Sequence, residues 1–269
     1  MNGFGPLFVR ELKRLVRQPA RLVGTLGAVV LLWIVLGGGF ARSFVGADDA
    51  GYGAYLVPGM ALLVVVFGSM FGAIGLIQER QAGWLHAVLA SPAGAGAVMG
   101  AKIAAGALVG TAQAGLVLAM AWVVAGPAPG AVGFAAALGG AALAAVLANG
   151  ACLAMAWRAR SVAGFHGVIN LVLGPAWMLS GAVFPLDGSA GWLRALATAN
   201  PLTYPAAVMR NGVGLPSEPV GGMVGGIGSG WEQWGAAGVS VLVAVGAAGV
   251  AIGAVRRTAV GPAEGAAQG

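Results

Sequence analysis

Charge is what this sequence has least of. Of its 269 residues only 8% are Asp, Glu, Lys or Arg, whereas 59% are hydrophobic and the mean hydropathy is +0.89. Soluble domains carry close to a quarter charged residues, so the composition is that of a polytopic membrane protein. Cysteine is nearly absent too. Cys152 stands alone, which excludes an intramolecular disulfide and a Cys-based metal site. The two histidines, His86 and His166, fall in no HExxH pattern, and no apolar run offers an acid to complete a triad with Ser180 and His166. The two lysines, Lys13 and Lys102, follow Leu12 and Ala101, so the GxxxxGK[ST] phosphate loop is missing. No catalytic residue, metal or cofactor is expected of this chain, and ATP-driven work would belong to another subunit.

What is present is a series of six apolar runs. They span Leu22 to Ala41, Tyr55 to Ile77, Ile103 to Ala125, Ala131 to Met155, Val162 to Phe184 and Gly235 to Val255. At about 1.5 Å per residue, roughly 20 apolar residues cross a hydrocarbon core of about 30 Å. The first run carries eleven Leu, Ile, Val or Phe residues, each favouring insertion by about 0.3 to 0.6 kcal/mol. The fourth is mostly Ala and Gly and depends on its neighbours for burial. The Pro-rich GPAPG stretch at Gly126 to Gly130 separates it from the third. None of the six contains Asp, Glu, Lys or Arg. Ion-coupled carriers usually keep such groups at membrane depth, so a self-powered carrier is disfavoured. The expected fold is all-α, one transmembrane domain over 1–269, comprising an N-terminal interfacial helix (1–21), a six-span core (22–255) and a tail (256–269).

The cations set the orientation. Eleven of the fourteen Lys and Arg fall before span one, between spans two and three, after span four and after span six; only Arg42, Arg194 and Arg210 fall on the other side. The positive-inside rule then puts both termini in the cytoplasm. The net charge of +6 is accordingly a topology signal rather than a sign of nucleic-acid binding. The leading segment is not a cleaved signal peptide on this reading, because its apolar core is too long. Phe8, Leu12, Leu15 and Val16 form an apolar stripe opposite Arg10, Lys13, Arg14 and Arg17, so the segment reads as a helix in the headgroup plane until Pro19 turns the chain inward.

Between spans two and three lies ERQAGWLHAVLASP, Glu79 to Pro92. Trp84, Leu85, Val88 and Leu89 share one helical face, Glu79 and Gln81 are placed in the first turn where the dipole favours negative charge, and Pro92 stops the helix. The segment reads as a docking element for a cytoplasmic partner; the bland alternative is a loop helix resting on lipid. Within the spans, Gln113, Asn149, His166 and Asn170 are polar. Interhelical hydrogen bonding is the first reading for them and a transport pathway, with Gln113, Asn149 and Asn170 as candidates, the second. Gly68 with Gly72, and Gly106 with Gly110, have the spacing that lets helices approach closely.

Four stretches, in order, resemble the membrane subunit of ABC-2 type exporters, the group that includes daunorubicin-type drug-resistance permeases and nodulation-type polysaccharide exporters. YLVPG at Tyr55 to Gly59 resembles the opening of that family's second span. Glu79, Arg80, Gly83, Leu89, Ser91 and Pro92, followed by Gly100 and Lys102, resemble its cytoplasmic coupling segment, with Gln81, Trp84 and His86 where the family often has Glu, Thr and an acid. Ser180, Gly181, Phe184 and Pro185 resemble the S-G-x-x-F-P end of its fifth span. Asn200, Pro201, Leu202, Thr203 and Tyr204, with Arg210, resemble its N-P-L-T-Y element, Ala207 standing at a commonly acidic place.

The resemblance implies a six-span permease of a bacterial cytoplasmic membrane, paired with a second copy as a dimer, a homodimer being favoured. Two ABC ATPase subunits would bind ATP and magnesium. Glu79, Arg80, Gly83, Trp84, Leu85, Leu89, Ser91 and Pro92 would form a coupling helix seated in the ATPase. Ser180, Gly181, Phe184, Pro185, Asn200, Pro201 and Tyr204 would form an external, re-entrant element. The implied cargo is an amphipathic drug-like or lipid-linked molecule, with a glycan as the alternative. A structural or channel protein without an ATPase is the rival from another class.

Overall fold

The computed structural model describes residues 3–40, 51–89, 94–124, 130–184, 186, 189–214, 238, 246, 248–250 and 253. Everything described is helix or short connection. The elements are α1 (Phe4–Val16), α2 (Pro19–Gly39), α3 (Gly51–Gln81), α4 (Trp84–Leu89), α5 (Gly94–Val124), α6 (Ala131–Arg158), α7 (Val162–Trp177), a π-helical turn (Met178–Ala182), α8 (Gly191–Ala199) and α9 (Thr203–Gly212). Among the described residues five helices are long and apolar enough to cross a membrane: Pro19–Gly39, Tyr52–Gln81, Gly94–Met120, Ala131–Arg158 and Val162–Ala182. They coincide with the first five apolar runs. The sixth run, Gly235 to Val255, lies mostly outside the described residues, as do Ser91, Pro92 and Pro185.

Local sequence explains the boundaries. Pro19 occupies the first turn of α2, where its missing N–H would have no partner anyway. Ser161 caps α7, its hydroxyl accepting from the Gly164 N–H at 3.1 Å. The Ala- and Gly-rich fourth run forms a 28-residue helix. Its inward face is a file of small residues, among them Ala137, Gly140, Ala141, Ala144, Ala145 and Ala148. Such a face lets α3, α5 and α9 approach closely, which in lipid replaces the hydrophobic drive that water would supply.

The bundle is built around α3. In its most apolar stretch 67% of residues are buried, against 11% in α2 and 17% in α7, so α3 is the central strut and α2 and α7 lie at the edge. Its opening is bound to the π turn. The Tyr52 hydroxyl donates to the Val183 carbonyl at 2.8 Å, the Tyr55 hydroxyl to the Gly181 carbonyl at 2.9 Å, and the Trp177 indole N–H to the Gly59 carbonyl at 2.8 Å. A Cβ at Gly59 would collide with the Ala182 backbone, so glycine here is a packing requirement. The YLVPG stretch therefore lies inside α3, which starts at Gly51, and serves helix-to-helix contact.

Candidate functional site

Two ends of the bundle collect the polar residues. The end that carries the first four cation groups, the basic end, is organised by α3 running out through Glu79 and Arg80 and turning at Ala82 and Gly83, where Gly83 has φ 75°. That backbone conformation is open to glycine and costs other residues about 1 to 2 kcal/mol. The expected docking helix is therefore split. Glu79 and Gln81 belong to the last turns of α3, and α4 begins only at Trp84, with no acid in its first turn. The continuous span keeps its helical hydrogen bonding to Gln81, and the break falls at the glycine rather than at the first charged residue.

In that position a carboxylate faces the unfavourable end of the helix dipole, and Glu79 is compensated by cations from elsewhere. Glu79 is buried and pairs with Lys102 of α5 at 2.6 Å, with Arg10 of α1 at 3.3 Å and with Arg14 of α1. Glu11 of α1, also buried, pairs with Lys102 at 3.0 Å, Arg10 at 2.8 Å and Arg14 at 3.8 Å. Three cations thus enclose two carboxylates and tie α1, α3 and α5 together. Arg80 joins a fourth helix, its guanidinium donating to the carbonyls of Trp157, at 2.6 Å, and Ala159 at the end of α6.

Trp84 belongs to the same assembly. The Arg10 guanidinium sits 3.6 Å from its ring centroid and Lys102 Nζ lies 5.9 Å away. Leu85 is fully buried, and Trp84 and Val88 pack beside it on a cluster that includes Leu76, Ile77 and Met99. Trp84, Leu85 and Val88, the described part of the apolar face of α4, are therefore used within the subunit. Among the described residues of the corner, Gln78 and the turn Gln81, Ala82 and Gly83 are exposed. The side chains of His86 and Leu89 fall outside the described residues.

The structure also revises the leading helix. Its most buried residue is Glu11, and Arg10 and Arg14 turn toward Glu79, while Phe4, Val9 and Val16 are exposed. Part of the charged face packs on protein because two buried carboxylates attract it. Glu11 was not singled out from the sequence. Its signal was available: it is the only acid among the first forty residues, set among cations.

Deeper in the bundle, Gly75 and Gly106 make room for polar side chains. Arg21 donates to the Gly68 carbonyl at 2.8 Å, Gln113 donates to the Leu22 carbonyl at 3.2 Å, and Asn149 donates to the Ala145 carbonyl at 2.8 Å. A Cβ at Gly106 would collide with the Asn149 side chain, and one at Gly75 would come within 2.8 Å of Arg14 Nη2. Glu11, Arg14, Arg21, Lys102, Gln113 and Asn149 border a small, partly open cavity of about 30 Å³, room for one or two waters. Gln113 and Asn149 meet here, whereas Asn170 is exposed on α7, away from them.

The opposite end joins the two other motifs. Ser180 donates to the Trp177 carbonyl at 2.6 Å, and Gly181, at φ 75°, breaks the π turn so that its carbonyl accepts both the Tyr55 hydroxyl and the Arg210 guanidinium. Arg210 is buried and lies 4.2 Å over the Tyr55 ring. Asn200 donates to Ala176 O at 2.6 Å and accepts from Leu202 N at 3.1 Å, making the elbow between α8 and α9. Thr203 and Tyr204 close the elbow onto the Ala197 and Thr198 carbonyls. Pro201 is exposed at its tip, Phe184 is half-buried, and Ala207 is buried beside Tyr204 and Val208. Among the described residues no group of His, Cys, Asp and Glu is placed to hold a metal ion.

Against known families, the model described as ABC-2 type transporter matches residues 3–213. No curated protein matches the chain.

Proposed function

The chain belongs to the ABC-2 type transporter family, and we propose that it is the permease subunit of an ATP-driven exporter whose ATPase docks on the α3–α4 corner. The observation that carries this reading is the buried ion-pair network at that corner. A push on the exposed turn Gln81 to Gly83 meets α3 and α4 directly, and Glu79, Lys102 and Glu11 pass it to α5 and α1. Ligand-driven closure of a partner can bias a membrane domain only through an element that responds as a unit, and buried multidentate ion pairs supply that stiffness. ATP and magnesium are held by the partner ATPase, two copies per complex, and the permease is a homodimer with both termini and the α3–α4 corner in the bacterial cytoplasm. Trp84 and Leu85 support the docking turn from behind.

On this reading the α8–α9 elbow is the external element. The link from Asn200 to Ala176 draws the elbow alongside the spans, which supports a re-entrant arrangement. Non-helical backbone at that depth is tolerable because it is packed on protein. The cargo is an amphipathic, drug-like or lipid-linked molecule, and a glycan is the second choice; family analogy supports both.

The test is reconstitution. The permease purified with a P-loop ATPase should hydrolyse ATP and move fluorescent amphiphiles across vesicles only with ATP present. Gln81→Trp, which adds bulk at the exposed turn, should lower ATPase association by about tenfold, a loss of ~1.4 kcal/mol, with unchanged membrane insertion. Ion-gradient-driven movement by the permease alone would contradict the proposal.

A further inference from the structure

At the basic end, on the outer side of the bundle, α2 and α3 leave a groove of about 480 Å³ bordered by Arg21, Gly24, Ala28, Phe67, Met70 and Phe71. Its floor is open: a Cβ at Gly24 would touch nothing, and the adjacent Val23 is 67% exposed. From Arg21 to Ala28 the groove follows α2 for about 10 Å at 1.5 Å per residue, about two-thirds of one leaflet of a core roughly 30 Å thick. Its walls are aliphatic or aromatic apart from Thr25, whose hydroxyl is satisfied by the Arg21 carbonyl at 2.9 Å, and its one cation stands at the mouth.

The charge at that mouth is unbalanced. Arg21 donates to Gly68 O at 2.8 Å and to Gln18 Oε1 at 3.3 Å, which occupies two of its five donors. Among the described residues it has no carboxylate partner, because Glu11 and Glu79 are taken by Lys102, Arg10 and Arg14. Lys13 and Arg17, which border an adjoining open hollow with Arg10 and Arg14, likewise have no carboxylate partner among the described residues. A guanidinium with free donors at the end of an apolar slot matches the junction between a phosphate and an acyl chain.

We propose that the α2–α3 groove holds one anionic phospholipid, its phosphate against Arg21 and one acyl chain along Gly24 and Ala28 toward Phe67. The site depends only on these helices spanning a membrane. The docking reading above stands or falls separately.

Native mass spectrometry of the full chain, titrated with phosphatidylglycerol or phosphatidylcholine, tests it. The expected result is a preference of about fivefold or more for phosphatidylglycerol, the size expected for one cation at a membrane surface. Arg21→Gln should abolish the preference, and Arg160→Gln, at an exposed position of the same end, should leave it intact. Gly24→Leu should fill the slot and lower retention of both lipids. Arg21→Lys keeps the charge and should keep the preference, which covers the case that Arg21→Gln fails to fold. The proposal is overturned if wild type retains the two lipids equally, or if Arg21→Gln behaves as Arg160→Gln. Displacement of the lipid by millimolar inorganic phosphate would show a free-anion site instead. An Ala28→Cys chain, in a Cys152→Ala background, that crosslinks to a second copy on oxidation would show that protein covers the groove.

Discussion

Replacing Lys102 by methionine removes one cation from a cluster in which Arg10, Arg14 and Lys102 surround Glu11 and Glu79, and so takes the cluster from a net charge of +1 to zero. Lys102 contacts Glu11 at 3.0 Å and Glu79 at 2.6 Å, and the three side chains are only 5%, 7% and 8% exposed, so bulk solvent screens the carboxylates left behind only weakly. Removing one member of a buried pair typically costs 3 to 5 kcal/mol. Both carboxylates keep an arginine, which puts the expected loss near the lower end, about 3 kcal/mol. Glu11→Gln alone takes the cluster to +2 and leaves Lys102 one carboxylate. The double variant returns the net charge to +1. If the contact is real, the two changes together should cost less than their sum by about 1 kcal/mol or more, as for residues in one network. Equilibrium unfolding in mixed micelles, monitored by tryptophan fluorescence, measures all three variants. Additive losses, or a Lys102→Met cost below about 0.5 kcal/mol, would refute the network as a structural link.

Other outcomes follow from single contacts. Gly106→Val places branched carbon against Asn149 and should destabilise by about 1 to 3 kcal/mol; adding Asn149→Ala should recover part of the loss in the same unfolding assay. Gly181→Ala, at φ 75°, should cost about 1 to 2 kcal/mol from backbone strain alone, measurable as a lowered melting temperature. Trp84→Ala removes the ring under Arg10, a contact worth about 0.5 to 2 kcal/mol. It should increase tryptic cleavage in α1, a readout that separates loss of internal packing from loss of a partner contact.

The spans were legible because hydropathy and length are properties of the chain itself. Even the Ala-rich α6 was recoverable, although what makes it a good helix, the fit of Gly140 against Pro205 and Met209, is not written in its own residues. The corner was half legible. Glu79, Arg80 and Lys102 carry a pattern, but where the helix breaks depended on Gly83 adopting positive φ, and the periodicity of Trp84, Leu85 and Val88 could not say whether their face meets a partner or the subunit itself. Glu11 escaped because Lys102, the partner that ties it to α5, is 91 positions away in sequence. The same holds for Tyr55, Gly181 and Arg210: three motifs recognisable separately, whose meeting at one carbonyl only the fold reveals.

An ATPase that drives this bundle has to meet the exposed turn after α3. A photo-crosslinking residue placed at Gln81, in cells that express the full complex, tests this directly, with Arg194 on α8 as the control at the opposite end. The expected result is a crosslinked product whose partner peptides contain a GxxxxGK[ST] loop, formed from Gln81 and absent from Arg194. A complex that assembles and hydrolyses ATP while Gln81 crosslinks only to lipid would contradict it.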